Sequence, residues 1–263
     1  MKKEIRIGCL VSGSGTNLQA ILDACKTQDI QGKVVFVGSD NSVAYGLKRA
    51  KAIGIPTFIV DYLEIAHSID HGEIELFPQD VNLAEVIKKQ TVLPKSTLPD
   101  KLQLFYKKRI AAEAELLGHI SAYDIDLLVL AGFMRTLSPY IIDIFNPSPL
   151  NPRIMNIHPA LLPAFPGIDG YGDTFRYGCK VGGCTVHFVD YGEDTGPIIG
   201  QEVFEISPDD TIESVRKKGL ALEWRLYVKC IQLFAQDRLT VQKKRCQLKG
   251  GHTVDRTIVE ILP

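Results

Sequence analysis

Three continuous apolar runs, each followed by a short loop and then a helix start, restrict this chain more than any other feature. IRIGCLV at 5–11, VVFVGS at 34–39 and IDLLVLAGF at 125–133 do not alternate polar with apolar residues. Runs of that kind fit strands buried on both faces, as in a parallel sheet. Between them the period changes. In TNLQAILDACKTQ, Leu18, Ile21, Leu22 and Cys25 recur at helical spacing, and AYGLKRAKAIG at 44–54 reads as a second helix ended by glycine. PTFIV at 56–60 and RIMNIH at 153–158 supply further strands. The order argues an α/β, doubly wound, mostly parallel sheet. Nearer the C-terminus CTVHFVDYG at 184–192 does alternate, and PIIGQEVFEI at 197–206 follows a tight turn. These two predict antiparallel additions to the sheet. A long helix over roughly 210–236 closes the domain, and RLTVQ at 238–242 and TIVEIL at 257–262 are candidate terminal strands.

One segment interrupts the rhythm. From 62 to 108 the chain is rich in charge and carries Pro78, Pro94 and Pro99. Structureless loops of this length are uncommon in a compact domain. It is expected to be a surface insertion, at about 63–107, with some helix of its own, Asn82 capping LAEVIKKQ. The expected organisation is one domain over 1–242 and a tail over 243–263. With 45% apolar residues the chain can build a sizeable core. Its 30 basic and 31 acidic residues leave no field that calls for nucleic acid or an anionic membrane. No apolar run approaches a membrane span, and MKKEIRIGCLVSG fits a first strand better than a signal peptide. The six scattered cysteines fit a reduced, cytoplasmic protein. CKVGGC has no second pair at similar spacing, so no metal is expected.

Four stretches carry chemistry. VSGSGTNLQ places a glycine turn between a strand and a helix N-terminus, a ready anion site. It lacks the third glycine of the dinucleotide fingerprint and the Gly-Lys-Ser/Thr of a Walker loop. Its plain alternative is a turn with Thr16 as helix cap. AGFMRTLSP starts at the C-terminal end of a buried strand, where ligands collect in open α/β sheets; Ser138 and Pro139 there also read as a cap and first helical residue. In NIHPALLPAFPG, Asn156 and His158 are two apart, so an extended chain points them to one side. Pro159 holds His158 away from helix. In EDTGPIIGQE, Asp194 is either a turn-shaping residue or a carboxylate partner for His158.

These same stretches, SGSGTNLQAI, VLAGFMRTLSP, NIHPALLPAFPG and GCTVHFVDYGEDTGPII, resemble the folate-dependent glycinamide ribonucleotide formyltransferase family over most of residues 4–242. The resemblance implies a Rossmann-like formyltransferase fold and transfer of the formyl group of 10-formyltetrahydrofolate to the amine of phosphoribosylglycinamide, in purine synthesis. It implies that Asn156, His158 and Asp194 are the catalytic trio. Gly15, Thr16 and Asn17 match the loop that holds the substrate phosphate. Met134, Arg135, Thr136 and Leu137, with Asn156, match the folate contacts, and Arg109 stands where the family has an arginine near the folate's glutamyl end. Partners are then small molecules, with neither nucleic acid nor membrane, and the oligomeric state is open between monomer and homodimer.

The chain also departs from the family. The insertion precedes Arg109 and is expected to cover the folate entrance or make a subunit contact. IDGYGDTFRYG after Gly167 is an unusually glycine-rich version of its loop. Where the family often has a glutamate in the last long helix, this chain has Gly219, and Glu223 one turn on is the candidate substitute for a substrate contact. The rivals are a formyltetrahydrofolate hydrolase, which would carry an additional N-terminal regulatory domain, another formyltransferase, and a folate- or nucleotide-binding relative without catalysis. A tRNA-acting relative would need a basic C-terminal domain, and QKKRCQLKGGH is too short for that.

Overall fold

The computed structural model describes residues 4–72, 77–249 and 251–263. Residues 73–76 of the expected insertion and Gly250 of the expected tail lie outside them. In chain order the elements are β1 (Ile5–Val11), α1 (Thr16–Thr27), β2 (Gly32–Ser39), α2 (Tyr45–Ala52), β3 (Thr57–Ile59), α3 (Tyr62–Asp70), α4 (Leu83–Lys89), α5 (Pro99–Ile120), β4 (Leu127–Leu130), α6 (Pro139–Phe145), β5 (Ile154–His158), α7 (Gly170–Arg176), β6 (Val181–Phe188), β7 (Ile198–Glu205), α8 (Ile212–Ala235), β8 (Leu239–Gln247) and β9 (Thr253–Ile261).

Seven strands form one sheet in the order β3-β2-β1-β4-β5-β6-β7. From β3 to β5 every pairing is parallel, while β6 and β7 are antiparallel additions. The non-alternating apolar runs have the expected cause. Ile7, Cys9 and Val11 of β1 pack under α1 and α8, and Leu10 packs on the other face with Leu116 of α5 and Ile141 of α6. Burial on both faces removes the need for polar positions. Strand order reverses between β1 and β4, and the crevice above that point is where open α/β sheets bind ligands. Tyr227 of α8 ties the long helix to this region, its hydroxyl lying 3.1 Å from the Leu130 carbonyl and 2.9 Å from that of Met155.

Several boundaries differ from expectation. The 125–133 run is a strand only over Leu127–Leu130, because the residues after it leave the sheet as a loop. Likewise β6 ends at Phe188, before the turn that carries Asp194. The expected insertion holds α3, α4 and the first turns of α5. Asn82 caps α4 by accepting from the N–H groups of Ala84 and Glu85, and Pro99 opens α5 at a position where its missing N–H costs nothing. The glycine-rich 167–172 loop leads into a helix, α7, whose cap is Asp169, accepting from Gly172 N–H. Beyond 238, β8 and β9 pair with each other along their full length, so a division after 242 falls inside a strand. Among the described residues no helix is long and apolar enough to cross a membrane.

Candidate active site

A cavity of about 550 Å³ opens above the β1–β4 crevice, within the usual size of small-molecule sites. Four loops and two strand ends line it: 12–17 after β1, 130–137 after β4, 167–169 before α7, 189–194 before β7, 156–159 at the end of β5, and His187 near the end of β6. Glu223 and Leu220 of α8 and Tyr171 of α7 close one end.

The chemistry clusters where β5 meets β6. Asn156 and His158 leave β5 on one side, as residues two apart in a strand must. The antiparallel register sets His187 of β6 directly across from Asn156. His158 is 3% exposed, with Nδ1 3.1 Å from Asp194 Oδ2 and Nε2 2.8 Å from the carbonyl oxygen of Phe165. Each ring nitrogen thus faces an oxygen acceptor to which it donates when it bears hydrogen. His187 Nδ1 faces the Phe188 carbonyl at 2.9 Å, and its Nε2 lies 3.3 Å from Asn156 Nδ2 and 3.6 Å from Asp194 Oδ1. Asp194 Oδ2 also accepts from Gly167 N–H at 3.0 Å. Burial alone would push this carboxyl up, but His187, His158 and the Gly167 N–H outweigh it and hold Asp194 below its ordinary range. Asp194 and Phe165 both have φ of 54°, a left-handed conformation uncommon for non-glycine residues. Each unusual backbone aims a partner at His158: a carboxylate in one case, a carbonyl in the other.

At the opposite end, α1 begins without a side-chain cap. Its N-cap is Gly15, so Thr16 is the first helical residue and does not cap, contrary to the plain reading of the turn. Gly15 has φ of 67°, and a Cβ there would come within 2.6 Å of Gly46 Cα. Only glycine allows both the turn and that contact. The uncapped N-terminus faces the cavity, with Gly15, Thr16 and Asn17 all in its wall. Asn17 is buried and donates from Nδ2 to Glu223 Oε2 at 2.6 Å, and the other oxygen of Glu223 accepts from Tyr171 Oη at 2.7 Å. Burial raises the Glu223 carboxyl, and the two bonds only partly offset it. The place of Gly219 is explained here. A Cβ at 219 would lie 2.1 Å from Cζ of Tyr171. The missing side chain is the room for the tyrosine ring that holds Glu223.

Between the two ends, Met134, Arg135, Thr136 and Leu137 all line the cavity. Met134 is 57% exposed and Leu137 is buried. Ser12 organises this loop: its N–H donates to the Gly132 carbonyl at 2.9 Å, and its Oγ accepts from Met134 N–H at 2.8 Å. Arg135 Nε pairs with Asp40 Oδ2 at 2.6 Å. Arg109 is the one expected site residue outside the cavity wall. Its guanidinium lies over Tyr62 at 5.4 Å and Phe105 at 5.3 Å, and its Nη1 is buried without a hydrogen-bond partner. Arg135 lies over the same Tyr62 ring at 5.5 Å, so Arg109 stands one ring away from the cavity lining.

Sequence reasoning passed over His187, Asp40 and Tyr171. His187 had a usable signal. The alternation of CTVHFVDYG puts it on the opposite face from Val186 and Phe188, and a histidine inside a strand paired to NIH is a candidate in itself. Among the described residues no group of three or more His, Cys, Asp or Glu is arranged to hold a metal ion.

Comparison with known proteins agrees with this geometry. The model of the formyl transferase family matches residues 5–231. The phosphoribosylglycinamide formyltransferase of Escherichia coli K12 is 32% identical over 246 residues, covering 94% of each chain. That of Bacillus subtilis 168 is 31% identical over 227 residues, covering 86% of this chain and 93% of the relative. The crystal structure of glycinamide ribonucleotide transformylase 1 from Symbiobacterium toebii superposes with a TM-score of 0.72 at 37% identity, covering 98% of this chain and 94% of that one.

Proposed function

The chain belongs to the formyl transferase family, and from that premise we propose how its residues carry out the reaction. It is a phosphoribosylglycinamide formyltransferase, an enzyme of purine synthesis, moving a formyl group from a folate-derived donor to the amine of phosphoribosylglycinamide. The donor assigned is 10-formyltetrahydrofolate, which supplies the formyl carbon. The residues present suit such a group. The cavity has apolar walls from Leu130, Phe133, Leu137 and Val189 for a flat ring system. The unpartnered Arg109 Nη1, one ring from the loop, suits a carboxylate tail.

In this reading the cavity has three parts. Gly15, Thr16 and Asn17 bind the substrate phosphate on the N–H groups of α1. Met134, Arg135, Thr136 and Leu137 hold the folate, with Asn156 beside its reacting end. Asn156, His158 and Asp194 meet where the two substrates would. Asn156, beside His187, has an amide N–H to donate to the formyl oxygen as it gains charge. A hydrogen on His158 Nε2, held by the Phe165 carbonyl, is one that the formyl oxygen can take over. Asp194 steadies the imidazole at Nδ1 and accepts positive charge near it. The attacking amine must lose a proton and the leaving nitrogen must gain one. His158, or a water held by Asp194, relays it. Glu223, held by Asn17 and Tyr171, is assigned the substrate contact that Gly219 cannot make. The six free thiols accord with a reducing cytoplasm.

The single observation that carries the proposal is the convergence of Asn156, His158 and Asp194 on one cavity that also contains an uncapped helix N-terminus. Ultraviolet absorbance of a formyl-folate mixed with the protein tests it. A change that requires phosphoribosylglycinamide is expected. A change without it would indicate a hydrolase, and no change under either condition would indicate a binding protein.

A further inference from the structure

Glu113 is 0% exposed, yet it sits in α5 among Ala111, Ala112 and Leu116 with no place in the chemistry above. Burying a carboxylate is costly, and an apolar side chain of similar volume would pack as well or better. Burial raises this carboxyl to about 7 even though Ser138 and Arg109 pull it down. Its contacts are specific. Oε1 accepts from Ser138 N–H at 2.7 Å, and Oε2 is bonded to the Ser138 hydroxyl. Ser138 Oγ in turn accepts from Tyr140 N–H at 3.2 Å and so caps α6.

Ser138 is also where the irregular 131–138 loop ends. The first half of that loop is fixed from within the sheet, by Ser12 and by the Arg135–Asp40 pair. Its last residue is fixed by Glu113, from a helix that starts inside the expected insertion. We infer that Glu113 is a positioning residue for the formyl donor, holding the end of the 131–138 loop so that Thr136 and Leu137 face the cavity. The role is one of hydrogen-bond geometry. A neutral group with one acceptor and one donor can serve both the N–H and the hydroxyl of Ser138, since a hydroxyl can accept as well as donate. An apolar side chain can serve neither.

This inference rests on the assignment of Met134 to Leu137 to the donor, and the test separates the two. Steady-state constants for formyl-folate and for phosphoribosylglycinamide are measured for Glu113→Leu, Glu113→Gln, Ser138→Ala and Leu137→Ala. Glu113→Leu is expected to raise the donor KM about tenfold, the effect of losing two hydrogen bonds that order a loop. Its kcat and its ribonucleotide KM should change by less than about threefold, a split that general loss of stability does not produce. Glu113→Gln should recover the donor KM to within about threefold of wild type, and Ser138→Ala should raise it several-fold. A folded Glu113→Leu with unchanged donor KM overturns the inference, as does a Gln variant as impaired as Leu. If Glu113→Leu does not fold, an unchanged donor KM in Ser138→Ala overturns it. If Leu137→Ala raises the donor KM while the Glu113 and Ser138 variants do not, only the positioning role fails. If none of the four moves it, the donor assignment of the loop fails as well.

Discussion

Among the carboxylates that line the cavity, the fold treats two, Asp194 and Glu223, in opposite ways. Asp194 is held below its ordinary range, whereas Glu223 is pushed above its own. Burial raises both. The difference lies in the partners. Asp194 has two imidazoles and a backbone N–H around it, groups that favour negative charge. Glu223 has an amide and a phenol, neutral donors that satisfy its oxygens without balancing its charge. One end of the cavity is therefore built to keep a fixed charge beside a histidine. The other is built to hold a hydrogen-bonding shape beside an uncapped helix. That division fits the proposed chemical step at one end and, at the other, the proposed recognition of the substrate by Glu223 beside the phosphate-binding N-terminus of α1.

If the division is real, substitutions at the two ends should fail differently. The largest effect is expected from Asn156→Ala and His158→Ala, each lowering kcat by about 10²–10³ while substrate binding survives, since each removes a donor aimed at the developing charge. Loss of ribonucleotide affinity with unchanged kcat, measured by initial rates, would erase the distinction. Glu223→Ala comes next. It frees Asn17 and Tyr171 together, and the ribonucleotide KM should rise about tenfold with kcat little changed. A fall in kcat alone would move Glu223 into the chemistry.

Stability offers two sharper tests. Gly219→Ala would ordinarily stabilise a mid-helix position by about 1 kcal/mol. Here the methyl meets the Tyr171 ring, so thermal or urea unfolding should show a loss of about 1–3 kcal/mol. A gain would mean that Tyr171 moves aside freely and does not hold Glu223. The smallest effect is in acid. Asp194 has a lowered folded value, so it contributes stability above its ordinary 3.8 and loses it as pH falls through the folded value. The stability difference between wild type and Asp194→Asn should be full at pH 6 and shrink progressively below pH 4. A difference that grows on acidification would reverse the sign assigned to its surroundings.

How far the sequence could anticipate this depended on the range of the interaction. The apolar runs of β1, β2 and β4 and the period of α8 are local signals, and those elements stand where the pattern put them, apart from frayed strand ends. Asn156 and His158 were legible because a strand places residues two apart on one side. Their meeting with Asp194 was not, because it depends on β5 and β6 pairing in one register across a separation that no local pattern encodes. Glu113 was hidden for a related reason. In RIAAEAELLGH the two glutamates, Glu113 and Glu115, read alike as a solvated helix face, and only the packing of α5 in the fold buries Glu113. Gly219 looked like a missing contact, but the structure makes it the space for Tyr171, a residue 48 positions earlier whose ring no helix periodicity would place there. The α7 helix escaped because its glycines suggested a loop, while the Asp169 cap that overrides them is a single residue.

The most direct test of the account is a single-turnover measurement on Asp194→Asn, with formyl-folate and phosphoribosylglycinamide both saturating and ribonucleotide affinity measured in parallel. Formyl transfer slowed by about 10²-fold or more, with affinity within about twofold of wild type, is the predicted result. Transfer at close to the wild-type rate would contradict it, because the carboxylate beside His158 would then have no part in the reaction.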